Sequence, residues 1–157
     1  MARLTERDLA PDPAREWFVE RIEALATGDC EPGRQVAMIE RSAPQESMPP
    51  LYRRDEDETY RVLEGEVEFF VGADAVLARR GDVVVAPRGV ARSFRVSSET
   101  ARWLVLTRVS SLDRFVDFGR AVAAAARTAS PEPPGLAAIA AANGIELLGP
   151  PGVLPAA

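Results

Sequence analysis

From Thr59 to Arg108 the chain is a series of short apolar runs, each stopped by glycine, proline or a polar cluster. Thr59–Leu63 and Glu66–Val71 flank Gly65. Ala75–Ala78 runs into Arg79-Arg80-Gly81-Asp82, and Val83–Ala86 runs into Pro87-Arg88-Gly89. Ala91–Val96 is separated from Ala101–Arg108 by Ser97-Ser98-Glu99. Runs this short fit strands rather than helices, and a spacing of roughly 8–12 residues is that of an all-β sandwich or barrel. Successive residues of a strand face opposite ways. Glu58, Tyr60 and Val62 therefore share one face, as do Arg92, Phe94 and Val96. Gly65 reads as the turn of a hairpin joining the first two strands.

The flanks are less regular. Trp17–Ala26 carries a helical stripe at Phe18, Ile22 and Leu25 and also a strand-like alternation; the local pattern places helix slightly ahead. Gln35–Glu40 reads as a strand and Ser42–Met48 as a loop. The segment Pro49–Asp57 reads as an exposed, charged approach to the strand series. After Val109, Ser110-Ser111 can cap a helix to about Thr128, with Leu112, Phe115, Val116 and Phe118 as its apolar set. A Pro-rich linker at Ser130–Pro134 leads to a short second helix, Leu136–Ala142, ended by Asn143-Gly144. The tail from Ile145 to Ala157 is expected to pack extended on the barrel. These features predict one domain over residues 1–157, with a barrel core at about 17–108 and an extension over 110–157.

What the chain lacks limits its chemistry. It has no histidine, and all 19 basic residues are arginine. Histidine metal sites, Ser–His–Asp triads and lysine Schiff bases are therefore excluded. A single cysteine, Cys30, rules out an internal disulfide and sits in turn-like sequence without a histidine to activate it. A formal net charge of −5 with no basic stripe argues against nucleic acid. No apolar run reaches membrane-spanning length, and no leader pattern opens the chain, so a cytoplasmic protein without a membrane partner is expected.

Two segments resemble the paired motifs of the cupin superfamily. The first motif, G-x5-H-x-H-x3,4-E-x6-G, is matched in its second half by Glu58, six residues and Gly65. The second, G-x5-P-x-G-x2-H-x3-N, is matched by Gly81, Pro87 and Gly89. The flanks, including Pro49-Pro50, Phe115 and the C-terminal Leu-Ala-Ala-Ile-Ala-Ala-Ala-Asn-Gly-Ile-Glu-Leu-Leu-Gly-Pro-Pro, are similar to small bacterial cupins of the quercetin 2,3-dioxygenase-like type. The resemblance implies a double-stranded β-helix, or jelly-roll barrel, with C-terminal helices. It also implies a strand rather than a helix at Trp17–Ala26, and a homodimer.

The family's metal is held by the motif histidines and the glutamate. Carried over without gaps, those positions are Leu51, Arg53, Glu58 and Arg92; a gapped match brings in Tyr52 instead. Only the glutamate remains, and arginine has no lone pair for a metal. No metal and no other cofactor is expected. The altered site is expected to be a Glu58–Arg92 cluster with Tyr60, flanked by Arg53, Tyr52, Phe94, Trp103 and Met38 as ligand-binding positions. Such a cluster is either an internal salt bridge filling the barrel or a pocket for a small, anionic, oxygenated molecule. Its expected function is a metal-independent cyclase or isomerase on an aromatic or polyketide-like substrate, in which Glu58, Arg92 and Tyr60 act as catalytic groups. The alternatives are a non-catalytic binding barrel and a residual metal-dependent dioxygenase.

Overall fold

The computed structural model describes residues 19–25, 35–110, 115, 118 and 135–156. Among the described residues, ten strands form two five-stranded antiparallel sheets, packed as a jelly roll. In chain order these are β1 (Val19–Leu25), β2 (Gln35–Pro44), β3 (Pro50–Arg54), β4 (Glu58–Glu64) and β5 (Glu66–Val71). They are followed by β6 (Asp74–Arg79), β7 (Val83–Ala86), β8 (Arg92–Val96) and β9 (Thr100–Val109). Helix α1 (Leu136–Ala142) precedes the last strand, β10 (Ile145–Pro151). One sheet runs β1-β2-β9-β4-β7 and the other β10-β3-β8-β5-β6.

Val19–Leu25 is a strand paired with β2 along its whole length, as the family resemblance implied and against the local helical stripe. Other expectations change. β2 continues through Ser42–Pro44, where a loop was expected. The charged approach contains a strand, β3, which pairs with β8 and, on its other side, with β10. The tail does more than lie on the barrel: β10 becomes an edge strand of the second sheet. Cys30, the linker and all but Phe115 and Phe118 of the helix expected over 110–128 lie outside the described residues; those two are helical. Among the described residues no helix is long and apolar enough to cross a membrane.

Gly65 is a corner rather than a hairpin turn. β4 pairs with β7 and β9 in one sheet, whereas β5 pairs with β6 and β8 in the other. The chain therefore crosses between sheets at Gly65, with φ at 73°. A side chain here would collide with the Thr100 carbonyl oxygen and stand 2.9 Å from Ala101 Cα. Gly65→Ala should cost roughly 2–4 kcal/mol from left-handed strain and overpacking together. Gly81→Ala is the control: φ is 91° there but nothing lies within 4 Å. It should lose only roughly 1–2 kcal/mol. Urea unfolding of both variants checks this, and equal losses would show that the corner is not tightly packed.

The core lies between the sheets. Tyr60 stacks on Phe69 with ring centroids 4.6 Å apart, and Trp103 meets Phe94 edge-on at 4.8 Å. On β2 the inward positions are Ala37, Ile39, Arg41 and Ala43, and on β9 Ala101, Trp103, Val105, Thr107 and Val109. This alternation carries polar groups to one part of the barrel interior.

Candidate ligand cleft and its buried ion cluster

Strand parity brings Glu58 inward from β4, and Tyr52, Arg54 and Arg92 inward from the facing sheet. Glu58 is 1% exposed, Arg54 2% and Arg92 1%. Arg54 Nη1 donates to Glu58 Oε1 at 3.0 Å. The other carboxylate oxygen, Oε2, accepts from Tyr60 Oη at 2.6 Å, Tyr52 Oη at 2.9 Å and Arg92 Nη1 at 3.2 Å. Both oxygens are thus engaged, and the two phenols also lie 3.2 Å from each other. The rest of the Arg92 guanidinium is held by the turn after β7. Its Nε donates to Val90 O, Nη1 to Ala86 O, and Nη2 to Pro87 O at 2.6 Å. Arg92 therefore joins the Pro87 turn to the cluster.

The expected catalytic trio comes together: Glu58, Tyr60 and Arg92 form one hydrogen-bonded group, with Tyr52 as a fourth member. The flanking positions divide. Phe94 and Trp103 are buried in the aromatic core and do not line the cleft described below. Arg53 points outward, 43% exposed at its side chain, and pairs with Glu146 on β10. Met38 also faces away from the interior, because Ala37 and Ile39 take the inward positions of β2. Neither Arg53 nor Met38 belongs to the site.

Arg54 and Arg41 are the residues that sequence reasoning missed. The first motif allows three or four residues before its glutamate. Tyr52 and Arg54, the pair that a three-residue spacing gives, are the ones whose side chains reach Glu58. The signal for Arg41 is a lone arginine in the inward series Ala37, Ile39, Ala43.

A narrow cleft of about 50 Å³ opens beside the cluster. Arg41, Tyr52, Arg54 and Glu58 are its polar lining. Pro49, Pro50, Leu136, Ile145 and Leu147 form apolar walls, and Phe115 and Phe118 close it from outside the barrel. The Arg54 guanidinium lies 5.1 Å from the centre of the Phe115 ring, within cation–π range.

Burial alone would raise the Glu58 pKa. The surrounding Arg54, Arg41 and Arg92 charges and the Tyr60 hydrogen bond outweigh it and hold the carboxyl at about 2, below its ordinary 4.5. Tyr52 is pushed up to about 12, first by burial and then by the Glu58 charge. The same two causes raise Tyr60 well above its ordinary value. Burial works against the charged form of Arg92, but Tyr60, Glu58 and Tyr52 reverse that and raise its pKa.

Because the folded Glu58 pKa is depressed, the folded carboxylate remains ionised at pH values where the unfolded chain has taken up a proton. The resulting stability is complete above about pH 5 and is lost as pH falls toward 2. It amounts to roughly 3 kcal/mol. Urea unfolding at several pH values across that window should show the decline, and Glu58→Gln should flatten it. A slope unchanged by Glu58→Gln would remove Glu58 as its source.

This donor set does not fit a transition metal. Guanidinium groups offer no lone pair, the phenols stay protonated near neutral pH, and the single carboxylate already accepts four hydrogen bonds. Among the described residues no three His, Cys, Asp or Glu side chains cluster as metal ligands would.

Residues 38–107 match the family described as cupin domain. The match covers less than half of the chain, and the jelly-roll architecture agrees with it. An uncharacterised conserved protein with a double-stranded β-helix domain from Klebsiella pneumoniae superimposes with a TM-score of 0.50. The two are 16% identical, and the match covers 68% of this chain and 90% of that one. The polyketide cyclase RemF from Streptomyces resistomycificus is 19% identical, with 69% of this chain and 79% of that chain covered and a TM-score of 0.47. The cupin domain of Cnp3 from Schizosaccharomyces pombe is 20% identical, with 64% and 67% covered and a TM-score of 0.46. At these identities the likeness concerns fold alone. No curated protein sequence matches the chain.

Proposed function

We propose that this chain is a metal-independent cupin that binds a small organic molecule in the cleft over Tyr52, Arg54 and Glu58. One observation carries the reading: a buried Arg54–Glu58–Arg92 cluster sits in the barrel interior, yet an apolar cleft remains beside it. Filling the barrel would have required the ion pairs alone. The cleft is small beside the roughly 300–1,000 Å³ of typical ligand sites. The ligand is therefore compact, or it shifts the Phe115 and Phe118 walls, and a polycyclic polyketide does not fit the cleft as it stands.

Thermal-shift screening of a small-metabolite library against the full chain tests this. Wild type should give hits that raise Tm by several degrees, since a ligand at about 100 times its Kd adds about 2.7 kcal/mol. Leu147→Trp, and Leu136→Phe as a second filling variant, should lose those hits. An absence of hits, or hits retained by both filled variants, rejects the reading. Elemental analysis of protein purified without chelator should find no stoichiometric transition metal; finding one would reject metal independence.

A cyclase or isomerase using the same cleft is the second reading. It is favoured by the Arg54 guanidinium in the lining, whose Nε–H has no partner among the described residues and can stabilise a developing enolate oxygen. Glu58, ionised down to about pH 2, is too weak a base for proton abstraction near neutrality. Chemical conversion of a hit on long incubation separates this reading from binding alone.

A further inference from the structure

We infer that the ligand of this cleft is a small monocarboxylic acid, bound as its carboxylate on Arg54 with its apolar part against Phe118 and Leu147. The inference rests on the small-molecule-binding reading above and adds the chemistry that selects the ligand.

Arg54 is 2% exposed and lines the cleft. Its Nη1 is committed to Glu58, and its Nη2 reaches Arg108 O only at 3.3 Å. Its Nε has no hydrogen-bond partner among the described residues. A buried charged donor left unmatched is costly, whereas Arg92 close by has every nitrogen placed on a carbonyl or on Glu58. Glu58 cannot supply the missing acceptor, since four donors already occupy its two oxygens. Among the described residues, Arg54 and Arg92 thus share the one Glu58 carboxylate, and no second carboxylate stands beside them. Arg41 has contacts of its own and is not needed for this count.

The Nε–Nη2 edge of a guanidinium is a fork for two acceptor oxygens held in one plane. A carboxylate supplies both oxygens and the missing negative charge, whereas a neutral carbonyl supplies neither the second oxygen nor the charge. A phenolate or enolate offers one oxygen and leaves half the fork open. Apart from Arg41, which has contacts of its own, the rest of the lining gives no partner to a second charge, which selects a monoanion. The volume of about 50 Å³ selects a short chain, and a single ring enters only where the Phe115 and Phe118 walls shift.

Butyrate and benzoate, each paired with its neutral amide, test the assignment by calorimetric titration of the full chain near neutral pH. At least one acid should bind wild type ten times more tightly than its amide, a comparison that needs no variant. Arg54→Lys keeps the charge but loses the fork, and it should weaken binding of that acid several-fold and shrink its advantage over the amide. Equal affinities for acid and amide overturn the carboxylate assignment and leave the small-molecule reading standing. No binding by any of the four probes also overturns it; the broader reading fails if the library screen is empty as well, or if its hits survive in both filled variants.

Discussion

Glu58→Leu should destabilise the protein by about 3–5 kcal/mol, the range for removing one partner of a buried ion pair. The loss arises less from the missing attraction than from what remains. Arg54 and Arg92 stay inside, 2% and 1% exposed, without the carboxylate that justified their burial. Arg92 keeps its three carbonyl partners, but Arg54 keeps only the long bond to Arg108 O. In a chain of this size each kcal/mol moves Tm by about 2–4 °C, so a fall of roughly 6–20 °C is expected. Glu58→Gln retains an acceptor and should fall between this variant and wild type.

The triple variant Glu58→Leu, Arg54→Met, Arg92→Leu reverses the sign of the argument. With every charge gone, no desolvation cost remains, and stability should return to that of wild type or exceed it. Recovery would mean that the cluster costs about as much as it contributes, and that its retention serves the cleft. A triple variant less stable than Glu58→Leu alone would show instead that the ion pairs are the main support of this part of the barrel. Thermal melts of the three proteins decide between these outcomes.

The second large effect is optical. The chain has two tyrosines, Tyr52 and Tyr60, and both belong to the cluster. An ordinary tyrosine is more than half ionised at about pH 10.5. Here Tyr52 is held at about 12 and Tyr60 also well above the ordinary value, so the folded protein at that pH should show almost no phenolate absorbance. Denaturant at the same pH should release the signal of both rings together. A raised folded pKa also sets the direction of the alkaline limb. The tyrosine contribution is complete below about pH 10, where the unfolded phenol is still neutral, and is lost as pH rises through the folded values. A normal spectrophotometric titration of native protein would contradict the burial of both phenols against a carboxylate. Together with the loss of Glu58 stability in acid, a plateau between about pH 5 and 10 is expected.

Much of the fold can be read along the chain because strands of this length carry their own punctuation. Gly81, Pro87 and Gly89 mark turns for local steric reasons, and the alternation of Glu58, Tyr60 and Val62 follows from strand geometry alone. The absence of histidine and lysine likewise settles which chemistries the chain can hold. Where the local pattern is balanced, as at Val19–Leu25, the choice of strand comes from pairing with β2. No residue within the segment carries that information.

The site was harder to read, for reasons that lie in the register. A shift of one residue turns a strand's side chains to the opposite face, so the step from Glu58 back to the preceding strand decides whether Arg53 or Arg54 points inward. The bend between β3 and β4 allows either spacing, and only pairing of β3 with β8 and β10 selects the one that buries Tyr52 and Arg54. Gly65 shows the same limit. A glycine between two strands signals a reversal, but which sheet the next strand joins depends on partners far away in the chain.

The sequence by itself determined the class of fold, the one carboxylate that marks the site and the chemistry from which the site must be built. These follow from residue identity and short-range periodicity. Only the tertiary structure decided which arginines meet that carboxylate, that two tyrosines share it, and that an apolar cleft remains beside them. Long-range strand pairing sets those contacts, and it brings together Arg41, Tyr52, Glu58 and Arg92 from four separate strands.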